Sequence, residues 1–332
     1  MSEPTLVITS INPPTMTVRK ARAVQPDWRI IVVGDKKTPE PWKHDGVDFL
    51  SISDQGRLRF ELAAALPVGH YSRKNLGYLV AIADGAPIIA ETDDDNIPYD
   101  SFLAGVSRTV RARPIEATGW VNVYRAFTSE RVWPRGFPLD AVNESLRAAP
   151  PLGQDADHDC PVQQYLADGD PDVDAVYRLT AEGDIRFDES LDVVLGPGSH
   201  CPFNSQNTVW FPDAYPLLYL PSGVSFRMTD IWRSFVAARC LDALGHPLAF
   251  RRPTVVQERN EHDLMRDFEA EIDGYLRNRE IVERLAALDL GGLTAGQMLR
   301  RCYEELAAMG LVDHDELVLV DLWLDALGSI GS

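Results

Sequence analysis

A chain of 332 residues has room for one large domain or two modest ones, with ample core. Against 50 Asp and Glu it carries 32 Lys and Arg, a formal net charge of −18, which argues against general nucleic-acid binding and against a polybasic membrane surface. No apolar run reaches the roughly 18 residues of a spanning helix, and the amino terminus has an acid where a secretory signal carries positive charge.

The first third alternates strand and helix signals. Leu6 to Ile11 reads as a strand, leaving through Asn12, Pro13 and Pro14 into a short helix from Thr15. Ile30 to Val33 is a second apolar run, ending in Gly34, Asp35, Lys36 and Lys37, and Val47 to Ile52 is a third. A helical pattern follows from Ser72 to Asp84, with Leu76, Leu79, Val80 and Ala83 on one face. Ser72 is the expected N-cap and Gly85 the expected C′ residue. Such alternation predicts a mostly parallel sheet flanked by helices, with a ligand pocket at the carboxyl ends of its strands.

The helix start is electrostatically awkward. Arg73 and Lys74 occupy the first turn, where the helix dipole already presents partial positive charge. An anion held there reverses the sign, because free N–H groups, dipole and both cations attract it. With His70 just before, the segment reads as a diphosphate clamp; the alternatives are solvated side chains or an Arg73 paired with nearby acids.

The next strand, from Pro87, runs straight into Asp93, Asp94 and Asp95. Strand alternation allows Asp93 and Asp95 to point the same way. Converging carboxylates repel unless a cation or proton sits between them, and hard oxygen ligands suit Mg²⁺ or Mn²⁺ carrying phosphate. Asp35 and Asp94 join the donor-binding candidates. The competing reading is a solvated turn, since Asp, Asn and Pro all favour turns.

The middle of the chain is rich in turns. Trp120 to Phe127 reads as a strand, and Trp133 to Pro138 as a rigid aromatic turn. Asp155, Asp157, His158 and Asp159 read as a solvated loop. The run Asp168 to Asp174 looks like a loop entering a strand, with acids available for a sugar hydroxyl. Asn204, Gln206 and Asn207 can each donate and accept, which suits sugar hydroxyls as well as self-satisfied turn chemistry. The four separated cysteines form no CxxC pair, so neither zinc nor a disulfide framework is expected, and a cytoplasmic setting is the default.

Thr229 to Gly245 reads as an amphipathic helix with Ile231, Phe235, Ala238 and Leu241 buried. Asp230 sits at its mouth as a cap or as a general base for a hydroxyl nucleophile, and Trp232 is a sugar-contact candidate. After Glu258 the chain reads as helical, with Thr294 capping one helix and another running from Glu316 to Leu327. The expected division is a nucleotide-binding domain over residues 1–257 and a helical region, 258–332, packed on it.

The segments GHYSRKNLGYLVAIADGA with ETDDDN, WPRGFPL, DGDPDVDAVYRLT, PFNSQNTVWF and FRMTDIWRSFVAARCL resemble the STELLO glycosyltransferases over residues 5–290. More distantly the chain is similar to the reversibly glycosylated polypeptides, which are UDP-arabinopyranose mutases. The resemblance implies a GT-A-like fold, a nucleotide-sugar donor with UDP favoured, a hydroxyl acceptor and a divalent ion, Mn²⁺ or Mg²⁺. It implies Asp93 and Asp95 as metal ligands, Arg73 and Lys74 near the donor and Asp230 near the reaction centre. In many GT-A enzymes a carboxyl-side histidine also reaches the ion, which makes His262 a further metal candidate. Sugar transfer is the leading expectation; a nucleotide-sugar mutase and a non-catalytic nucleotide-sugar-binding or assembly protein are the alternatives. Plant STELLO proteins are Golgi membrane proteins, and no anchor is legible here.

Overall fold

The computed structural model describes residues 2–181, 183–258 and 263–331. Among these residues lie the strands β1 (Thr5–Ser10), β2 (Arg29–Gly34), β3 (Asp48–Leu50), β4 (Ile89–Asp93), β5 (Asn96–Pro98), β6 (Thr109–Ile115), β7 (Gly119–Trp120), β8 (Ala156–Asp159), β9 (Val162–Gly169), β10 (Val193–Leu195), β11 (Ser199–His200), β12 (Asn207–Trp210) and β13 (Leu248–Gln257). One sheet runs in the order β3-β2-β1-β4-β12-β9-β13-β10-β6-β8, with β5 paired to β13. Strands β7 and β11 form a small separate ribbon.

The alternation of strand and helix at the amino end gives parallel pairs: β1 with β2, β1 with β4, and β2 with β3. Beyond β4 the expected parallel order gives way to a mixed one. β12 runs antiparallel to both β4 and β9, whereas β9 and β13 are parallel. The carboxyl ends of β1, β2, β4, β9 and β13 therefore share one edge with the amino end of β12. β1 lies between β2 and β4, so the chain reverses its direction of winding there, which is where open α/β sheets leave a crevice.

Both faces of this half-sheet are covered, so its strands are near-continuous apolar runs. Leu6 and Ile8 pack with Val18 of the Met16–Val24 helix, while Val7 points the other way into the larger core with Leu76 and Leu79. The Lys74–Ala83 helix lies so close to the sheet that a Cβ on Gly77 would come within 2.6 Å of Val7 and 2.7 Å of Val33. The expected single buried face became burial nearly all round, from Lys74 to Leu79, because the carboxyl-terminal His314–Ile330 helix covers the other side. Ala83, placed on the apolar face by its spacing, is exposed. The helix begins two residues late: a 3₁₀ turn, Tyr71–Arg73, precedes it, capped by His70 rather than Ser72.

Other signals sit where their chemistry predicts. Gly85 and Gly245 both take left-handed φ of 77° after their helices, and Thr294 with Gln297 forms a capping box for Ala295–Ala308. Three segments differ. The run Asp155 to Asp159, read as a solvated loop, carries strand β8, paired antiparallel to β6. The stretch from Trp120 continues as a strand for only that residue and then forms a Tyr124–Phe127 helical turn. Ala175–Thr180 is a helix, because Asp174 accepts from the Tyr177 N–H as its N-cap. The Leu264–Ala286, Ala295–Ala308 and His314–Ile330 helices share the core of the Thr229–Leu244 helix. Among the described residues no helix is long and apolar enough to cross a membrane.

Candidate functional site

At the shared strand edge lies a cleft of ≈ 500 Å³. Its lining includes Asp35, Arg73, Asp93, Asp94, Asp95, Gln206 and Asp230, residues singled out in five separate stretches of sequence. Strand β4 ends at Asp93, and the antiparallel β12 brings Ser205 and Gln206 opposite it.

The three aspartates do different things. Asp93 accepts the Tyr71 phenol proton at 2.6 Å and lies 3.3 Å from the Lys74 ammonium. Asp94 turns back to accept from Asn12 Nδ2 at 3.0 Å and from the Ser10 hydroxyl. Asp95 accepts from Gln257 Nε2 at 3.1 Å. Burial, reinforced by its neighbour Asp93, pushes the Asp95 carboxyl up to about 7. Burial also raises Asp93, despite the opposing pull of Lys74. This edge has more carboxylate than the protein neutralises.

The expected diphosphate clamp is built differently from its sequence reading. Lys74 is fully buried, its Nζ bonded to Tyr71 Oη at 2.9 Å and the Thr92 carbonyl at 3.0 Å. It underpins Asp93 from behind the cleft wall. Arg73 is also buried, donating to Gln55 Oε1 at 2.5 Å and the Leu66 carbonyl at 3.0 Å. Asp35 is spent on the loop opposite, accepting the Gly69 N–H at 2.8 Å and the His70 N–H at 3.1 Å. Among the described residues, the exposed cations of the cleft are Lys36 and Lys37, on the turn after β2.

On the other wall a second acidic group is already neutralised. Arg135 meets Asp230 with two parallel bonds, 3.0 and 2.9 Å, and Asp172 with two more, 2.7 and 2.9 Å. Burial alone would raise the Asp230 carboxyl, but the Arg135 guanidinium outweighs it and holds that carboxyl below its ordinary range. A carboxylate bonded through both oxygens to arginine is a weak proton acceptor, so this geometry favours Asp230 as a fixed negative group over a general base. Arg135 owes its position to Gly136, whose φ is 86° and whose added Cβ would come within 2.5 Å of Ile231.

Two buried layers hold these walls. Behind β4, Glu91 is bonded by Arg233 at 2.8 and 3.1 Å and by the Trp210 indole at 2.8 Å. Behind the Arg135 wall, Glu271 of the long carboxyl-terminal helix accepts from Arg227 Nε at 2.7 Å and the Ala175 N–H at 2.8 Å. The same helix uses Asn278 to accept from the Trp232 indole at 3.0 Å and to donate to the Gly136 carbonyl at 2.9 Å.

Trp232 is therefore core support, 2 % exposed, and does not reach the cleft as a sugar contact. Asn204 donates to Asp172 at 2.8 Å and steadies that carboxylate, while Asn207 is buried against Thr254 at 2.9 Å. Of the three amides only Gln206 lines the cleft. His262 lies outside the described residues. The functional residues that sequence reasoning missed are Arg135, Tyr71 and Gln257. Arg135 had a signal: a cation fixed between Pro134 and Gly136, with acid-rich Asp168 to Asp174 downstream to receive it.

Among the described residues no group of three or more His, Cys, Asp or Glu side chains is placed to hold a metal ion. What the chain offers is Asp93 and Asp95 beside open cleft. That donor set fits a hard divalent ion that takes most of its ligands from phosphate and water.

Comparison with known proteins adds a relationship. Residues 227–332, which carry Asp230 and its supporting helices, match the model of the STELLO glycosyltransferases. The Arabidopsis thaliana protein named probable glycosyltransferase STELLO2 is 34 % identical over 247 residues, covering 69 % of this chain and 32 % of that protein. Probable glycosyltransferase STELLO1 from the same plant is 33 % identical over 246 residues, covering 68 % and 32 %. The chain thus spans about a third of the length of these relatives. A solved structure of a mycobacterial protein, 12 % identical, overlays 94 % of this chain and 76 % of its own at a TM-score of 0.39.

Proposed function

The chain is a relative of the STELLO glycosyltransferases, and from that premise we propose that it moves a sugar from a nucleotide-diphosphate sugar to a hydroxyl acceptor, on a GT-A-like fold. The observation that carries the reading is the division of one cleft into an under-neutralised edge at Asp93 and Asp95 and a neutralised one at Asp230 and Asp172. An incoming cation–diphosphate complex relieves the first; polar sugar hydroxyls find fixed acceptors at the second.

In this reading Asp93 and Asp95 would hold Mn²⁺ or Mg²⁺, and the ion would neutralise charge on the departing diphosphate. Tyr71 and Lys74 keep Asp93 oriented. Asp94, bonded to Ser10 and Asn12, ties the end of β4 to the end of β1 on the donor's side of the cleft. Lys36 and Lys37 approach the phosphates as exposed cations, while Arg73, bonded inward at the cleft lining, and Lys74, behind the wall, contribute field. Asp230 accepts a hydrogen bond from a sugar hydroxyl and orients the ring; bonded to Arg135, it stays ionised through the catalytic pH range. Gln206 and Gln257, 2.5 Å apart, present amide groups between the two edges.

Incubating the protein and Mn²⁺ with a panel of UDP-, GDP- and dTDP-sugars tests this. Release of free nucleotide, increased by the true acceptor, is the expected result. An isomeric nucleotide sugar would instead establish a mutase, and binding without product a non-catalytic binding module.

A further inference from the structure

Among the described residues, the large apolar side chains that both line the cleft and stand exposed are Ile11 and Phe226. Phe226 is 59 % exposed on a turn that is otherwise immobilised. Its neighbours Arg227 and Met228 are 8 % and 1 % exposed. Ser225 donates to the Ala270 carbonyl at 2.5 Å, Arg227 is locked to Glu271, and Met228 packs so tightly on Gly274 that a Cβ there would come within 2.3 Å of its sulfur. The exposure of Phe226 is thus fixed by the fold. Leaving much of a phenyl ring in water forgoes the free energy of burying it.

The ring stands nearly perpendicular to Tyr71, at 80° with centroids 5.8 Å apart, and Tyr71 reaches on to Asp93. Phe226 therefore lines the cleft against Tyr71, whose hydroxyl bonds both Asp93 and the Ser205 hydroxyl. A pyranose ring has an apolar C–H face and a rim of hydroxyls. Placed here it would set the face on Phe226 and the rim on Asp230, Ser205 and Gln206.

We propose that Phe226 is a preorganised stacking platform for a pyranose ring in this cleft. The proposal rests on the sugar-transfer reading and adds to it the residue that grips the ring. The ring belongs either to the donor or to the acceptor, and one set of measurements distinguishes them. Wild type, Phe226→Ala and Phe226→Trp would be titrated calorimetrically with UDP and UDP-glucose in Mn²⁺. The same proteins with UDP bound would be probed by saturation-transfer NMR with methyl glucopyranoside, galactopyranoside, mannopyranoside and xylopyranoside.

Phe226→Ala should leave UDP affinity unchanged and weaken sugar binding by roughly three- to tenfold, with Phe226→Trp restoring it. Loss of UDP-glucose affinity alone assigns the ring to the donor; loss of the methyl glycoside signal assigns it to the acceptor. If Phe226→Ala changes neither, or if wild type shows no pyranose binding at all, the platform is overturned. A protein that binds no nucleotide yet loses methyl glycoside binding on Phe226→Ala would sink the donor reading and leave the platform standing.

Discussion

The two walls of the cleft present aspartates in opposite electrostatic states. At Asp93 and Asp95, burial and repulsion from neighbouring aspartates raise the carboxyls. At Asp230, more deeply buried, the Arg135 guanidinium reverses the outcome, helped by Arg233 and the Ser205 N–H. Depth alone therefore does not set these acids: Asp230 is bonded through both oxygens to a guanidinium, whereas Lys74 reaches Asp93 alone and, among the described residues, no cation is bonded to Asp95. One wall is complete without ligand and the other is complete only with one. The chain as a whole, at −18, gives the second wall little help from distant charge.

The largest effect should follow from breaking the complete wall. Arg135→Met removes the cation shared by Asp172 and Asp230 and leaves two buried carboxylates unpaired. Loss of one partner from a buried pair costs about 3–5 kcal/mol, so thermal or denaturant unfolding should show a collapse in stability. A shift below 1 kcal/mol would mean that water already reaches these acids.

Asp174 supplies a control on the same loop. It is buried beside the Trp133 indole at 2.6 Å, no arginine is bonded to it among the described residues, and burial raises it to about 6 against the weaker pull of Arg227. Its folded value exceeds the unfolded one, so the folded state holds the proton longer, and stability falls as pH rises from about 4 to 6. The shift corresponds to up to roughly 3 kcal/mol. Comparing wild type with Asp174→Asn across that window should show the variant's stability falling less with rising pH. Parallel curves would mean that Asp174 ionises freely in the folded protein.

How much of this contrast was legible in sequence depends on how far apart the partners lie. Asp93 to Asp95 announce themselves because an apolar strand ends in them, and the parallel amino-terminal sheet follows from local periodicity. Arg135 and Asp230 are separated by 95 positions, and nothing local in either stretch names the other. Lys74 was read as part of a diphosphate clamp because its helix pattern says nothing of the Thr92 and Ser205 carbonyls that hold its ammonium behind the cleft wall. Trp232 was assigned to sugar for the same reason: its partner, Asn278, lies on a distant helix. Local chemistry located the site; tertiary covering decided which of its residues remained available.

The incomplete wall should respond in the opposite direction. Asp95→Asn removes a repelling carboxylate, so the fold should keep its stability or gain a little. Its cost should fall on metal-dependent nucleotide binding: the gain in UDP or GDP affinity on adding Mn²⁺, measured calorimetrically, should drop at least about tenfold, equivalent to 1.4 kcal/mol. Stability lost with metal-dependent affinity intact would turn the comparison around and make Asp95 structural.

The smallest effect concerns the cations that are still free. Arg73 and Lys74 have their bonds inside the protein, whereas Lys36 and Lys37 are exposed at the cleft on a turn braced by Asp35 and Thr38. Thr38 donates to the Ser10 carbonyl at 2.8 Å, which ties that turn to the end of β1 while both lysines stay exposed. Long, solvated side chains gain little from one contact, and exposed charge pairs bring at most about fivefold in affinity each. Lys36→Gln with Lys37→Gln should therefore weaken UDP binding only a few-fold and leave unfolding unchanged. The distinguishing readout is salt: wild-type affinity should fall between 50 and 300 mM NaCl, concentrations about which screening of exposed charges becomes strong, and the double variant should show a shallower fall. Identical salt slopes would place the diphosphate away from these lysines and return Arg73, with a rearranged side chain, as the group that meets it.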